Sequence, residues 1–507
     1  MEADPRPFPP GEYPVIVIGS GPGGLQTSYG LHKYGVPHAV LSADEGAGGM
    51  FRKWPFFQRL LSWTKPYAPA ERTARAYQRY DWNSLIADEP ELRSLQAEFM
   101  DGTTYYPSRP EMQANLEAFA ERAGIAVRYS TRWEKTRKEE GPDGTTFVLE
   151  TTSGEYRCRI LILAVGVAEP WSPSPPGIEH ARHYADTQDA SYYAGKRLFI
   201  IGKQNSGFEL ASGLAAWASS VTVCSPSQAK TALETKSLVG VRARYVQPFE
   251  DAYLGLGVRI LAASITEIEH VGAAYRVHVR RTDNGEALSV DADEVIAATG
   301  FTCPLQDLPD LGVAVFGQAK LPAVTQMWES ASVPGIYFAG TISQASPGLR
   351  RNGIPAYSGA VQGHRYNSLI LARHIAQTHF GVPENRPEVA PADLVGYLLS
   401  EATNAPELWH QKGYLARVVT VTAEDGLRDE GIVPLVHILD THDEDMVAMT
   451  VEADGQGSIY PMVFIRREGR LEEHKLAAQP LLDFATDEHA SALRAALGSL
   501  LPGVSAE

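Results

Sequence analysis

The chain has 507 residues, of which 44% are hydrophobic, and this is enough apolar material for two or three packed domains. Its formal net charge of -16, without any Lys/Arg-rich run, argues against a nucleic-acid partner because the phosphate backbone would be repelled. No apolar stretch reaches the roughly 18 residues that a membrane span requires, and the opening residues are acidic and proline-rich, so a cytoplasmic location is expected.

A glycine-rich turn lies in the first βαβ unit. Residues 1–13 are predicted to be a disordered lead, because proline and charge dominate there. A buried strand at Val15–Ile18, a helix over 22–34 and a strand at His38–Leu41 follow. The turn between the first strand and the helix reads GSGPGG and consists of Gly19, Ser20, Gly21, Pro22, Gly23 and Gly24. Its three fingerprint glycines allow a tight turn, a close pyrophosphate and close helix packing, so a dinucleotide is predicted here.

The residue that would bind the ribose of this dinucleotide is displaced. Ser42 occupies the position at the end of the second strand where an acid is expected, and Asp44 and Glu45 come just after it. One interpretation is that Asp44 or Glu45 reaches back to the ribose. The other is a solvated turn before Gly46, and both stay open.

A second glycine turn follows about 180 residues later. A helix over 110–123, a strand over 160–165 and a proline-rich crossing at 170–176 come first. A strand over 198–201, a helix over 208–217 and a strand over 221–224 then form another βαβ unit. Its turn consists of Gly202, Lys203, Gln204, Asn205, Ser206 and Gly207. Only two fingerprint glycines are present, so a second nucleotide is one interpretation and ordinary helix capping by Asn205 and Ser206 is the other.

The loop after this second unit indicates which nicotinamide nucleotide binds. CSPSQAK, at 224–230, has no carboxylate to hold a free ribose 2′-hydroxyl, which favours NADPH over NADH. Ser225, Ser227 and Lys230 are candidates for the 2′-phosphate, and Arg242 and Arg244 are more remote candidates.

The predicted fold class is α/β, with two Rossmann-like dinucleotide-binding domains and a C-terminal α+β appendage. The first domain spans 14–190 and resumes over 292–380, where DADEVIAATGF at 291–301, GIYFAGT at 335–341 and a helix over 358–376 are expected. The second domain is inserted at 191–291. The appendage spans 391–507, with strands predicted at 415–422, 432–439, 446–451 and 460–465 and a final helix over 488–501.

Two other features are expected to have no catalytic role. Cys158, Cys224 and Cys303 are far apart and form no CxxC pair, so each is predicted to be a buried apolar residue. The DTHDED segment at 440–445 lies between two predicted strands and is expected to be a solvated hairpin turn, so no metal site is predicted.

Taken together, the motifs resemble those of the class B flavin-dependent monooxygenases over residues 14–376. The matching pieces are GSGPGG, KQNSG, YPSRPEM at 106–112, the GGMF turn (Gly48, Gly49, Met50 and Phe51) and the ATG segment with Thr299 and Gly300. Thr341, after Gly340, stands where disulfide reductases usually have aspartate. FAD-dependent oxidoreductases of the endoplasmic reticulum are also similar.

This resemblance implies FAD on the first turn and NADPH on the second. It further implies oxygenation of a small organic substrate through a flavin hydroperoxide, with nitrogen as the favoured atom. If Lys65 is aligned with the family's lysine, Ser62 falls at the active-site asparagine of flavin-containing monooxygenases, and the Baeyer-Villiger fingerprint is not intact around 177–184. The candidate catalytic residues are Gln204, Asn205 and Ser62.

Two other functions remain open from the sequence. One is a reductase or dehydrogenase that uses the same two cofactors without inserting oxygen. The other is a nonenzymatic flavin-bound interaction protein whose binding face is the C-terminal appendage. Residues 391–507 are expected either to cover the active site or to support a homodimer.

Overall fold

A computed structural model describes residues 4–53, 59–142, 144–229, 257–422, 426–441, 444–498 and 500. The helices are α1 (Pro22–Lys33), α2 (Arg109–Arg122), α3 (Asn205–Leu214), α4 (Val361–Phe380), α5 (Leu394–Asn404), α6 (Pro406–His410), α7 (Leu435–Thr441) and α8 (Asp487–Leu497). The strands are β1 (Gly11–Glu12), β2 (Val15–Ile18), β3 (His38–Leu41), β4 (Trp133–Gly141), β5 (Gly144–Thr151), β6 (Gly154–Cys158), β7 (Ile160–Leu163), β8 (Glu169–Pro170), β9 (Arg182–His183), β10 (Arg197–Ile201), β11 (Ser220–Ser225), β12 (Val258–Val271), β13 (Ala274–Arg281), β14 (Ala287–Ala292), β15 (Glu294–Ala297), β16 (Phe301–Thr302), β17 (Val315–Phe316), β18 (Leu321–Pro322), β19 (Ile336–Phe338), β20 (Leu415–Thr422), β21 (Gly426–Pro434), β22 (Asp445–Ala453), β23 (Ile459–Arg467) and β24 (Arg470–Lys475).

The first glycine turn lies at the edge of a parallel sheet with the order β19-β7-β2-β3. Strands β2 and β7 are apolar throughout and fully buried, which is the pattern of strands covered on both faces. Helix α1 packs on α4, and the approach is so close that a Cβ on Gly30 would lie 2.7 Å from Ala372 Cβ. The sheet thus holds the start of α1 at a fixed position.

The start of the chain is ordered rather than a disordered lead over residues 4–13. Strand β1 pairs in parallel with β6, and the Tyr156 hydroxyl donates to the Phe8 carbonyl oxygen at 2.9 Å. Buried Arg128 donates to the Pro7 carbonyl oxygen at 3.1 Å and pairs with Asp4. Proline-rich composition failed as a guide because these long-range contacts satisfy the backbone of the segment.

The second glycine turn lies in a seven-stranded sheet with the order β14-β13-β12-β11-β10-β15-β9. Strands β10, β11 and β15 pair in parallel. Both β9, from within the range 14–190, and β15, from within 292–380, belong to this sheet. The second sheet therefore includes strands from outside the predicted boundaries at 190 and 292. Local sequence does not show which sheet a short apolar strand joins.

The C-terminal residues form a five-stranded antiparallel sheet with the order β21-β20-β22-β23-β24. The strand predicted over 432–439 is wrong after Pro434, since β21 ends there and α7 begins at Leu435. In the segment predicted as a hairpin at 440–445, Asp440 and Thr441 belong to α7 and Asp445 begins β22, while His442 and Asp443 lie outside the described residues. Leu371 of α4, Leu398 of α5 and Val447 of β22 belong to one hydrophobic core, so this sheet is packed directly on the first domain.

An ion-pair network joins the C-terminal sheet to the segment before β4. Arg417 contacts Glu401 at 2.6 Å and Asp429 at 3.2 Å, and all three side chains are largely buried. Arg75, from the first domain, contacts the same Glu401 at 2.7 Å. Residues far apart in sequence are thereby held at one interface.

Substituting Arg417→Ala should lower the free energy of unfolding by about 3 kcal/mol, because the largely buried carboxylate of Asp429 would lose its ion-pair partner and that of Glu401 would keep only Arg75. Urea titration of the purified variant measures this. The matched control is Arg137→Ala, which removes an exposed ion pair with Glu155 and should change the same quantity by less than about 1 kcal/mol. Equal effects of the two substitutions would contradict a structural role for Arg417.

In the part of the chain that is described, none of the helices has the length and apolar character needed to cross a bilayer.

Candidate functional site

The first glycine turn approaches two other glycine segments. A Cβ on Gly23 would lie 2.5 Å from Gly340 Cα, and one on Gly49 would lie 3.0 Å from Gly21 Cα. Gly19 has a φ of +113°, and a Cβ there would lie 2.5 Å from the Ala164 carbonyl oxygen. We call the five glycines, Gly19, Gly21, Gly23, Gly49 and Gly340, the glycine cradle. Side chains would fill its space, so its backbone can approach a ligand closely.

The helix start in the cradle is suited to a pyrophosphate. Helix α1 begins with Pro22 after the extended residue Gly21, and no side chain caps its first turn. Helix α2, by comparison, is capped by Ser108 and Glu111. Uncapped N–H groups at a helix start favour an anion, and the cradle therefore fits the pyrophosphate of FAD.

The GGMF turn is fixed by neighbouring side chains. It forms a short 3-10 helix over Gly49–Arg52, in which Phe51 is buried and Met50 is partly exposed. Arg109 donates to the Phe51 carbonyl oxygen at 2.8 Å. The Gly48 N–H donates to the Ser20 carbonyl oxygen at 3.0 Å, which ties this turn to the first glycine turn.

The candidate ribose residues are in different environments. Ser42 is buried and accepts a hydrogen bond from the Ser20 hydroxyl at 2.8 Å. Asp44 is half-buried and pairs with Lys53 at 2.6 Å, whereas Glu45 is exposed. Asp44 is thus the more buried acid of the two, and its role at the ribose stays a prediction.

The second glycine turn has the same internal geometry as the first. A Cβ on Gly24 would lie 2.0 Å from the Gly19 carbonyl oxygen, and one on Gly207 would lie 2.1 Å from the Gly202 carbonyl oxygen. Gly202 has a φ of +116°. Helix α3 begins at Asn205, three residues before the predicted start, and has no side-chain cap. Both turns therefore bring an uncapped helix start against a buried strand.

The polar residues of the second turn differ in exposure. Gln204 and Asn205 are exposed and Ser206 is half-buried, so these side chains are accessible to a nucleotide. Lys203 is 3% exposed, and burial lowers the pKa of its ammonium group. Ser225 is half-buried at the end of β11, while Lys230, Arg242 and Arg244 lie outside the described residues.

The ATG segment connects the two nucleotide units. The Thr299 hydroxyl donates to the Trp171 carbonyl oxygen, and the Trp171 N–H donates to the Gly300 carbonyl oxygen at 3.1 Å. A ring nitrogen of His183 lies 3.1 Å from that same carbonyl oxygen. Thr299 and Gly300 thus hold the crossing at 170–176 in place, and Thr341 follows the cradle residue Gly340.

Ser62 belongs to a polar network that sequence reasoning missed. Its hydroxyl donates to the Asn83 side-chain oxygen, and Asn83 is fully buried. The Leu60 N–H donates to the Pro107 carbonyl oxygen at 2.8 Å, so this segment runs beside the residues before α2. Asn83 follows Trp82 in an irregular stretch, where no periodic pattern could have singled it out.

An aromatic wall borders Ser62. The ring centroids of Trp63 and Trp82 are 3.7 Å apart, and Trp82 also lies 5.9 Å from Tyr357. Trp63 and Tyr357 are partly exposed, whereas Trp82 is buried.

Helix α4 contains a histidine that must stay neutral in the folded protein. Burial, together with the neighbouring Arg365 charge, lowers the pKa of His364 to about 3. The pKa of an unfolded histidine is near 6.5, so below that pH the unfolded chain takes up a proton that the folded chain does not. Folding is therefore favoured above pH 6.5 and weakened as pH falls toward 3.

We expect the free energy of unfolding to fall by up to about 1.4 kcal/mol per pH unit for this group as pH decreases from about 6 to 4. Urea titrations across that range measure how the free energy of unfolding depends on pH. His364→Gln should make this dependence shallower by the contribution of about one proton. An identical slope in the variant would contradict the assignment.

None of the three cysteines is suited to redox chemistry. All are buried and free. Burial raises the pKa of Cys224 to about 11 and that of Cys303 to about 12, and it raises the pKa of Cys158 as well. A reactive thiol needs a lowered pKa and access to its partner, so the prediction of buried apolar residues is confirmed. No cluster of metal-binding side chains is found within the described ranges.

A family model of pyridine nucleotide-disulphide oxidoreductases matches residues 16–340. FAD-dependent oxidoreductase domain-containing protein 2 of Mus musculus is 26% identical over 432 residues, which cover 80% of this chain and 64% of the mouse protein. The probable indole-3-pyruvate monooxygenase YUCCA9 of Arabidopsis thaliana is 27% identical over 209 residues, which cover 39% of this chain and 44% of the plant protein. The chain thus spans less than two thirds of the length of these two relatives.

The fold is shared with solved flavoenzyme structures. Bacillithiol disulfide reductase from Bacillus cereus superposes with a TM-score of 0.55 at 21% identity, covering 72% of this chain and 99% of that one. The two-dinucleotide α/β fold is therefore confirmed. The predicted resemblance to flavin-dependent monooxygenases is confirmed as well, by the family match and the plant relative.

Proposed function

Because the chain belongs to the pyridine nucleotide-disulphide oxidoreductase family, we propose that it is an FAD- and NADPH-dependent monooxygenase acting on a small organic substrate. The balanced reaction consumes one substrate, one O₂, one NADPH and one proton, and yields oxygenated substrate, water and NADP. Nitrogen is the acceptor atom that the resemblance to N-hydroxylating enzymes favours.

The observation that carries this proposal is the combination of two matched glycine turns with three buried cysteines. The turns support binding of both FAD and NADPH. The three cysteines are free and buried, so they form no disulfide that could accept electrons from a reduced flavin. Oxygen is the acceptor that the resemblance to flavin-dependent monooxygenases implies.

In this proposal the chain positions its ligands and excludes water. The cradle and the start of α1 hold the FAD pyrophosphate, while Gly202, Gly207 and the start of α3 hold NADPH. Bound FAD would supply the two-electron and oxygen chemistry. Gln204 and Asn205 are exposed side chains at the second turn and are proposed to contact the nicotinamide nucleotide. Ser225 and Lys230 are proposed for the 2′-phosphate.

The proposal is tested by supplying ¹⁸O₂ and NADPH with a panel of amines, sulfides and ketones. We expect one ¹⁸O atom in a product of the amine class, with less H₂O₂ released than NADPH consumed. Full recovery of O₂ as H₂O₂ across the panel would contradict monooxygenation. An equal rate with NADH would contradict the assignment of the loop after β11.

A second candidate is an NAD(P)H-dependent FAD oxidoreductase that inserts no oxygen. It is favoured by the mouse relative, whose similarity covers 80% of the chain and whose name is that of an FAD-dependent oxidoreductase. Rapid NADPH-dependent reduction of a soluble dye, together with full H₂O₂ recovery, would favour it.

A further inference from the structure

A chain of hydrogen bonds runs behind Ser62. The Ser62 hydroxyl contacts the Asn83 side-chain oxygen, and the Asn83 side-chain nitrogen lies 3.1 Å from Thr64 Oγ1. Thr64 Oγ1 lies 2.7 Å from Asp81 Oδ1. Thr64, Asp81 and Asn83 are at most 1% exposed, whereas Ser62 is half-buried. The chain therefore has one buried end at Asp81 and one accessible end at Ser62.

The donors and acceptors along this chain can have only one order. Asp81 Oδ1 accepts the backbone N–H groups of Asn83 and Ser84, both at 3.1 Å, so this oxygen is an acceptor. The Thr64 hydroxyl must then give its single proton to Asp81.

Thr64 Oγ1 consequently accepts from its other neighbour, and only the amide nitrogen of Asn83 can donate to it. This fixes the amide of Asn83, whose oxygen must face Ser62. The Ser62 hydroxyl proton is used in that bond, and only oxygen lone pairs remain toward the accessible side.

We infer that Ser62 is an obligatory hydrogen-bond acceptor, so that the group bound beside it is an N–H or O–H donor of the substrate or of the reduced flavin. This rests on the proposed function, because the substrate and the reduced flavin are the two ligands that it supplies. An asparagine at this position would offer a donor as well as an acceptor. Ser62 therefore restricts the bound group to hydrogen-bond donors.

The surroundings of Ser62 support a ligand there. The Thr64 N–H donates to the Tyr105 carbonyl oxygen at 2.9 Å. Arg109, four residues after Tyr105, donates to the Phe51 carbonyl oxygen of the GGMF turn. Ser62 is thus linked through 105–109 to the turn beside the cradle. Partly exposed Trp63 adds a flat apolar surface next to the acceptor.

Indole and benzofuran are suitable probes, because they share shape and differ in having a ring N–H donor or a ring oxygen acceptor. Calorimetric titration of the FAD-loaded protein should show indole binding about fivefold more tightly, which is the contribution of one neutral hydrogen bond. Ser62→Ala should bring the ratio to about one. Equal binding of the two probes to the unmodified protein, or binding of neither, would overturn a substrate donor.

A matched pair at Thr64 tests the order of donors. Thr64→Val keeps the shape but removes the hydroxyl, which frees the Asn83 amide to turn and donate to Ser62, so the indole preference should be lost. Thr64→Ser keeps the hydroxyl and should retain the preference. Circular dichroism and FAD content verify that both variants are folded. The same probe ratio in both variants would overturn the inferred chain.

The midpoint potential of the flavin shows whether the reduced flavin, rather than the substrate, is the donor to Ser62. If Ser62 accepts from the N–H of reduced flavin, Ser62→Ala should weaken binding of the reduced form about fivefold, or lower the potential by about 20 mV, without any preference between probes. An unchanged potential with unchanged probe binding would overturn the inference altogether. These readouts do not involve oxygen, so failure of monooxygenation would be seen separately as full H₂O₂ recovery.

Discussion

The Gly24→Ala variant should be purified with little or no bound FAD. The new Cβ would lie 2.0 Å from the Gly19 carbonyl oxygen and 3.4 Å from Ala164 Cβ, so α1 would have to move away from β2. The helix start would then leave the cradle. Overpacking of this kind costs about 1–3 kcal/mol, and we expect flavin occupancy, measured from the 450 nm to 280 nm absorbance ratio, to fall at least about tenfold.

Gly396→Ala is the matched control for this substitution. Gly396 is exposed in the first turn of α5, and a Cβ there would meet no atom within 4 Å. Alanine is favoured over glycine in a helix by about 0.5–1 kcal/mol, so this variant should keep its FAD and gain some stability. Normal flavin occupancy in Gly24→Ala would contradict the assignment of FAD to the first turn.

The Gly207→Ala variant should keep its FAD but lose reduction by NADPH. Its Cβ would lie 2.1 Å from the Gly202 carbonyl oxygen, so α3 would be displaced just as α1 is in the first variant. The observed rate of anaerobic flavin bleaching at low NADPH should fall at least about tenfold. The flavin should still be reduced by dithionite, which needs no nucleotide site.

The two glycine variants together separate the two sites. Loss of FAD in Gly207→Ala would mean that the second sheet supports the first site structurally. Unchanged NADPH reduction in Gly207→Ala would contradict a nucleotide at the second turn. Both assignments are supported only if Gly24→Ala loses FAD, while Gly207→Ala keeps FAD but is no longer reduced efficiently by NADPH.

The glycine turns could be predicted from sequence because their geometry is local. Gly19 and Gly24 are separated by five positions, as are Gly202 and Gly207, and each pair makes the same close contact. The approach of Gly23 to Gly340 and of Gly21 to Gly49 could not be derived from spacing. Such contacts depend on how distant segments fold back onto the first sheet.

Domain boundaries and polar networks were harder to predict for the same reason. Strand β15 reads as an apolar run that fits either sheet, and only its pairing with β10 assigns it to the second. Asn83 is a polar residue within an irregular stretch, and its importance depends on Thr64 and Asp81. Helix α7 was predicted as a strand because its seven residues are too short for a helical period to be recognised.

Helices α5 and α6 contact residues of the first domain beside the aromatic wall. Arg79 donates to the Thr403 carbonyl oxygen at 3.0 Å and lies over the Trp409 ring. His410, in α6, lies 5.4 Å from Trp82 of the aromatic wall. We propose that residues 391–507 support the substrate side of the site through these contacts.

The claim that the protein is a monooxygenase, rather than a flavoprotein that only reduces oxygen to H₂O₂, is tested most directly in a single turnover without substrate. The protein is reduced anaerobically with one equivalent of NADPH and mixed with O₂, and both O₂ uptake and H₂O₂ release are followed. If bound NADP shields the site from water, H₂O₂ should appear at least about tenfold more slowly than O₂ disappears. Release of H₂O₂ as fast as O₂ is consumed, in equal amounts, would contradict a monooxygenase.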